Sequence, residues 1–314
     1  MIFQKTVLLA GATGLLGSKI ASALAKKENL QVRALVRNLK INDNKKKQQI
    51  DRLESLNIKL VEADLNDPTS LEKACVGVNT IVSALSGWED VVVTGQINLL
   101  NAAKRVGVSH FIPSDYTYDY SNLQLGDNYL SDFRIKVAQA VRESGVNYTF
   151  IMNGIFAEVL LSPFFEVFDF KTNTAQYWGN GDTKFDVTTI DDTALYTAEA
   201  VVDPRAVNTN FQVAGDVVTM KEAIAAGEEV RRQKLTVRSK GSVDDLKVLI
   251  EDMKAKGANP FTVIPAQYQW GMVSGKVKLQ NLVNNRYPHI KPKSLREYLA
   301  ESEQESFELS FARS

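Results

Sequence analysis

Cysteine and histidine are almost missing from this chain. Cys75 is the only cysteine, which excludes an internal disulfide and any metal site built on cysteine. The two histidines, His110 and His289, stand far apart, so no metal-ligand cluster is expected. A charge excess is missing too: 37 Lys and Arg balance 37 Asp and Glu across 314 residues, and nothing suggests a nucleic-acid partner. No apolar run is long enough to span a membrane. The first strand pattern begins within about six residues of the N-terminus, too soon for a signal peptide. The expectation is a cytoplasmic protein without a membrane or nucleic-acid partner, monomeric or homodimeric. A composition 44% hydrophobic and 24% charged supplies an ample core, for one large or two modest domains.

What is present begins at residue 7. Val7-Leu8-Leu9-Ala10 reads as a buried parallel strand, followed by glycines at 11, 14 and 17. Leu16, Ile20 and Leu24 then fall on one helical face. A strand, a glycine turn and a helix in that order make a pyrophosphate site. Glycines let the backbone turn and approach the phosphates, and the helix N-terminus offers free N–H groups and a positive dipole end. The spacing is Gly-x-x-Gly-x-x-Gly, so the motif draws its weight from its strand-to-helix context. A turn with no ligand is the bland alternative.

The next strand, Gln31 to Val36, ends at Arg37. Folds that bind NAD usually place an acidic residue here, about 20 residues past the glycines, for the ribose 2′-hydroxyl. This chain has Arg37-Asn38, then Lys40 and Lys45-Lys46-Lys47. A guanidinium suits a 2′-phosphate, so the cofactor reading is NADP(H). Most of the lysine run is a solvated loop or helix start.

Strand and helix patterns alternate through the first half, with further strands at 58–61, 80–84, 110–112 and 148–152. Helices are expected from Asp67-Pro68, over 92–106 and over 131–144. The repeat predicts a parallel sheet covered on both faces. After Gly154 the pattern changes. Residues 155–170 are rich in phenylalanine, with Phe156, 164, 165 and 168 fitting one apolar helical face. A strand is expected over 184–189, a helix capped by Asp191-Asp192 to Val202, and helices over 243–256 and 268–283. A late strand near 210–214 returns to the sheet. The fold class is α/β: an NAD(P)-binding, Rossmann-like, doubly wound parallel sheet over 1–154. A smaller, interleaved substrate-binding unit occupies mainly 155–314.

The chain resembles the NmrA-like and isoflavone reductase-like group of atypical short-chain dehydrogenases. The likeness rests on Gly-Ala-Thr-Gly-Leu-Leu-Gly (11–17), Ala-Leu-Val-Arg (34–37) and Ala-Asp-Leu (63–65). It continues through Phe-Ile-Pro-Ser-Asp-Tyr (111–116), Ser-Gly-Val-Asn-Tyr-Thr (144–149), Asn-Gly-Ile-Phe (153–156) and Tyr-Pro-His-Ile-Lys-Pro (287–292). The resemblance implies that Gly11, Thr13, Gly14, Leu15, Leu16 and Gly17 form the pyrophosphate loop and that Arg37 takes the 2′-phosphate. Asp64 and Leu65 would lie near adenine. Ser83, Ala84 and Leu85 would pass beside the nicotinamide, with Ser114 and Tyr116 close by and Phe156 as a pocket wall. In the reductase branch a lysine early in the helix before the sixth strand lies near nicotinamide and substrate. Lys136 is the only lysine in that helix and takes the role. Counting back from Tyr148-Thr149, however, the family lysine falls at Arg134, which stands as the substitute. The Tyr-x-x-x-Lys pair usual in short-chain dehydrogenases is missing, which argues against nucleotide-sugar epimerase chemistry.

The resemblance therefore implies an NADPH-dependent reductase of a small, mostly apolar carbonyl or enone, with Lys136 as acid or electrophile. The alternative is an NADP(H)-sensing regulator without turnover. A blocked nicotinamide face, or the loss of a lysine from the family position, would favour the sensor. Tyr116, Tyr118 and Tyr120 suit either a pocket lid or a packed loop. His110 reads as a satisfied core histidine.

Overall fold

The computed structural model describes residues 5–39 and 43–302. The first half alternates as expected: β1 (Lys5–Ala10), α1 (Leu15–Leu24), β2 (Leu30–Val36), α2 (Asn44–Ser55), β3 (Lys59–Glu62), α3 (Pro68–Cys75) and β4 (Thr80–Ser83). Then come α4 (Gln96–Val106), β5 (His110–Ile112), α5 (Tyr129–Ser144) and β6 (Asn147–Met152). Sequence signals set the ends. Asp67 accepts from Thr69 N–H ahead of Pro68, and Gly107 and Gly145 close α4 and α5 in left-handed conformation. The expected helix over 92–106 is α-helical only from Gln96, because Asp90–Gly95 winds as a wider π-helical turn.

The second half holds β7 (Ile155–Phe156), α6 (Ala157–Leu160), β8 (Phe168–Asp169), β9 (Thr174–Tyr177), β10 (Phe185–Thr188), α7 (Ile190–Val202), β11 (Thr209–Gln212) and β12 (Asp216–Val218). It continues with α8 (Met220–Arg231), β13 (Thr236–Ser239), α9 (Val243–Ala255), α10 (Pro260–Val273) and α11 (Leu295–Glu301).

Seven parallel strands form the main sheet in the order β11-β6-β5-β4-β1-β2-β3. The late strand does return: Phe211 pairs with Ile151 across β11 and β6. Because side chains alternate along a strand, β1 feeds two cores. Val7 and Leu9 pack with Ile20 and Leu24 of α1 and Ala198 of α7. Leu8 and Ala10 pack toward Leu71 of α3, Leu99 of α4 and Val137 of α5. Two small sheets, β12-β10-β7 and β13-β9-β8, build the remainder. His110 is a sheet residue, with Nε2 bonded to Thr149 Oγ1 at 2.9 Å.

Three expectations change here. The phenylalanine-rich stretch is no single helix: it breaks into β7, α6, a 3-10 turn over 163–165 and β8. Thr189 caps α7 by accepting from Asp192 N–H, so the aspartates sit in the first turn and are not the cap. The helix expected over 268–283 lies at Pro260–Val273 instead. Asn259 caps it ahead of Pro260, and the chain turns away at Gly275, where φ is +74°. Pro265 inside that helix masks its start in the sequence.

Candidate functional site

The winding of the main sheet reverses between β1 and β4, and the carboxyl ends of these strands open a crevice. The glycine loop follows β1. Gly14 N–H donates to Gly11 O at 2.9 Å, closing a tight turn. Gly11 has φ +81°, and a Cβ there would lie 2.4 Å from Ala84 O, so only glycine passes over the end of β4. At Gly17 a Cβ would fall 2.0 Å from Gly11 O, so α1 can sit this close to the loop only with glycine there. Gly14 caps α1 without a side-chain bond, and the first turn holds no acidic residue. Its N–H groups are left open to an anion. Leu15 is 49% exposed beside them.

Two cavities meet at this loop. One, of about 630 Å³, is lined by Gly11, Thr13, Arg37, Lys46, Leu65 and Leu85, among others. Arg37 stands just past β2, and among the described residues its guanidinium has no hydrogen-bond or ion-pair partner. Lys46 sits in the first turn of α2, which Asp43 caps. Lys40 lies outside the described residues, as does the Lys45 side chain.

The other cavity, of about 220 Å³, begins at Gly14, Leu15 and Leu16 and shares Leu85 with the first. Its walls are mostly apolar: Leu130 and Phe133 of α5, Ile155 and Phe156 of β7, Val159 and Phe164. Its polar groups converge from few elements, as ligand sites do. Ser114 follows β5, with its hydroxyl donating to Leu85 O at 2.8 Å and its N–H to Gln96 Oε1 at 2.8 Å. Tyr116 holds a positive φ of +35°, a strained backbone for a bulky side chain and one that occurs at functional loops. Burial pushes its phenol well above the usual range.

Arg134 is the charged group of this cavity. Its Nε donates to Asp115 O at 2.7 Å. Its Nη1 donates to Leu130 O at 2.9 Å and to Tyr268 Oη at 3.3 Å. Its Nη2 makes no hydrogen bond among the described residues, and Arg134 lines the cavity. Burial works against its charge, but Tyr268, Asp115, Tyr118 and Tyr120 raise its proton affinity further. Asp115 itself is 1% exposed, and burial pushes its carboxyl up to about 7 against the pull of Arg134 and a hydrogen bond from Tyr120.

The structure thus gathers Gly11, Thr13, Gly14, Leu15, Leu16, Arg37, Leu65, Ala84, Leu85, Ser114, Tyr116 and Phe156 on the two cavity walls. Gly17 packs behind the loop. Ser83 lies fully buried below the crevice. Asp64 turns its carboxylate to Asn66 N–H and lines neither cavity. Lys136 is not brought to the site. Its Nζ pairs with Glu89 at 2.6 Å with both side chains about half exposed. Tyr118 and Tyr120 are packed, not lid-like, at 2% and 4% exposure. Sequence reasoning missed Gln96, Asp115 and Tyr268, which carry no motif of their own; Asp115 was legible only as part of Pro-Ser-Asp-Tyr. Among the described residues no helix is long and apolar enough to cross a membrane, and none of them form a group of three or more His, Cys, Asp or Glu placed to hold a metal.

A family model described as the NmrA-like family matches residues 3–298. Pinoresinol reductase 2 from Arabidopsis thaliana is 29% identical over 311 residues, spanning 94% of this chain and 96% of that protein. An NmrA-like family domain-containing oxidoreductase from Gibberella moniliformis is 32% identical over 226 residues, spanning 69% of this chain and 73% of that one. The solved structure of AtPrR2 with NADP+ and (+)pinoresinol superposes with a TM-score of 0.81 at 25% identity, covering 95% of this chain and 98% of that one.

Proposed function

The chain belongs to the NmrA-like family, and from that premise we propose that it is an NADPH-dependent reductase of a small, mostly apolar carbonyl or enone. One observation carries the reading: two cavities, joined at Leu85, run from the Arg37 guanidinium, unpartnered among the described residues, past the start of α1, which no side chain caps, to Arg134. That is the order of groups a dinucleotide phosphate needs. NADP(H) supplies the hydride when bound. Arg37 holds the 2′-phosphate by charge-assisted bonds, with Leu65 against the adenine side. Gly11, Thr13, Gly14, Leu15 and Leu16 hold the pyrophosphate, and Ala84, Leu85, Ser114 and Tyr116 flank the nicotinamide end. The NADP+ seen in AtPrR2 and the name of the Arabidopsis relative support the same cofactor and reaction class.

Arg134, not Lys136, takes the place of the family lysine. Three hydrogen bonds hold its fork rigid, and Nη2 remains for a substrate oxygen on which charge develops. The apolar wall formed by Phe133, Ile155, Phe156 and Phe164 excludes water around it. A blocked nicotinamide face would favour a redox sensor; the cavity of about 220 Å³ beside Ala84, Ser114 and Arg134 supports the reductase reading instead.

The test is a calorimetric titration with NADPH, NADP+, NADH and NAD+, followed by NADPH consumption across a panel of enones, quinones and aryl ketones. Preference for the phosphorylated pair with turnover of at least one apolar substrate is expected. Tight NADP(H) binding with no turnover on any substrate overturns the reductase in favour of the sensor.

A further inference from the structure

We propose that Asp115 is the proton donor of this site, its Oδ1 facing the substrate oxygen held by Arg134. This rests on the reductase reading above. An arginine cannot release its proton in a protein, so Arg134 can steady a developing anion but cannot quench it. The other titratable groups lining the cavity are Asp115, Tyr116 and Tyr268. Tyr116 is driven the wrong way by burial. Tyr268 Oη is already engaged, accepting from Arg134 Nη1 at 3.3 Å. Ser114 already donates its hydroxyl to Leu85 O.

Geometry separates the two Asp115 oxygens. Tyr120 O–H donates to Oδ2 at 2.9 Å. The Tyr120 phenol is raised well above its usual range, by burial first and then by Asp115 itself, so it stays a donor. With Oδ2 engaged by Tyr120, the acid proton that can reach a substrate is one on Oδ1. Oδ1 makes no hydrogen bond among the described residues, and Asp115 lines the cavity. The groups acting on this carboxyl are Tyr120 and Tyr116 from its own loop and Arg134 and Arg142 from α5. Burial outweighs the two arginines, so the acid form persists up to about neutral pH.

The step balances. The substrate carbon accepts a hydride from the dihydronicotinamide, and the π pair moves onto the substrate oxygen. That oxygen takes the Oδ1 proton, the substrate gains two electrons and two hydrogens, and the Asp115 carboxylate is reprotonated from water.

The test pairs two readouts. In apo protein with carbon-13-labelled aspartate, the Asp115 Cγ resonance, assigned by its loss in Asp115→Asn, is expected to titrate near neutrality. In the NADPH-loaded enzyme, Asp115→Asn is expected to lower kcat about 100-fold or more with NADPH affinity kept, and Asp115→Glu to restore part of it. Tyr120→Phe removes a bond that holds the carboxyl down, so the alkaline limb of kcat should move up by about one pH unit. An Asp115 resonance titrating near 4, or Asp115→Asn turnover equal to wild type, overturns the assignment while the wild type still consumes NADPH. If the wild type reduces nothing on the panel, the reductase reading fails first and this one falls with it.

Discussion

Arg134 and Lys136 stand two residues apart on α5 and serve different places. Arg134 Nε bonds Asp115 O at 2.7 Å in the cavity wall, while Lys136 Nζ reaches Glu89 at 2.6 Å on the outside. Two residues turn a helix by about 200°, so only one of the pair can face the cavity.

Substitution separates the two. Lys136→Ala should change kcat/KM less than about threefold and stability by less than about 1 kcal/mol, because it removes one exposed ion pair. Arg134→Ala should lower kcat/KM by about 100-fold or more. Arg134→Lys, which keeps the charge but not the three-point anchorage, should fall between them. Steady-state NADPH consumption with thermal unfolding as the folding control measures all three.

Arg37→Ala should weaken NADPH binding by about 10- to 100-fold, the worth of one charge-assisted bond set to phosphate, and leave NADH binding unchanged. Calorimetry with the two cofactors reads the difference directly. Equal losses for both would move the 2′-phosphate away from Arg37.

Gly17→Ala would put a Cβ 2.0 Å from Gly11 O, a main-chain atom that cannot swing aside. The loop or α1 must shift, at about 3 kcal/mol. A lower unfolding temperature together with loss of NADPH binding is expected. Gly107→Ala, where nothing lies within 4 Å of the Cβ but φ is +81°, should lower stability alone.

Glu158 sets a pH dependence. Its Oε1 accepts Ile190 N–H at 3.0 Å, and burial raises its carboxyl from 4.5 to about 7. The unfolded chain ionises first as pH rises. The group's stability is therefore full below about 4.5 and is lost as pH climbs through 7. Glu158→Gln removes that titration and can keep the bond to Ile190. It should be more stable than wild type at pH 8, by up to about 3 kcal/mol, with the gap closing near pH 4. Paired thermal melts at the two pH values measure it.

The first six strands, the glycine turn and Arg37 were legible because each rests on a local rule. Alternation and apolar runs mark strands, Asp67-Pro68 marks a helix start, and a glycine at 11 or 17 is forced by the room between loop and neighbour. The later elements were less legible. Residues 155–170 carry helical spacing, yet Ile155 and Phe156 pair with Val187 and Thr188, and a strand partner overrides local periodicity. The shifted α10 shows the same limit, since Pro265 obscures a start that Asn259-Pro260 signals.

By itself the sequence determined the parallel α/β order, the anion-ready loop and the basic residue at the end of β2, because these depend on neighbours along the chain. Only the tertiary structure decided which cation of α5 faces the cavity. It also brought Gln96 to Ser114, Tyr268 to Arg134 and Tyr120 to Asp115, and it buried that carboxyl enough to raise it. Those outcomes depend on desolvation and on side chains meeting across the fold, and neither is written into the spacing of residues along a strand or helix.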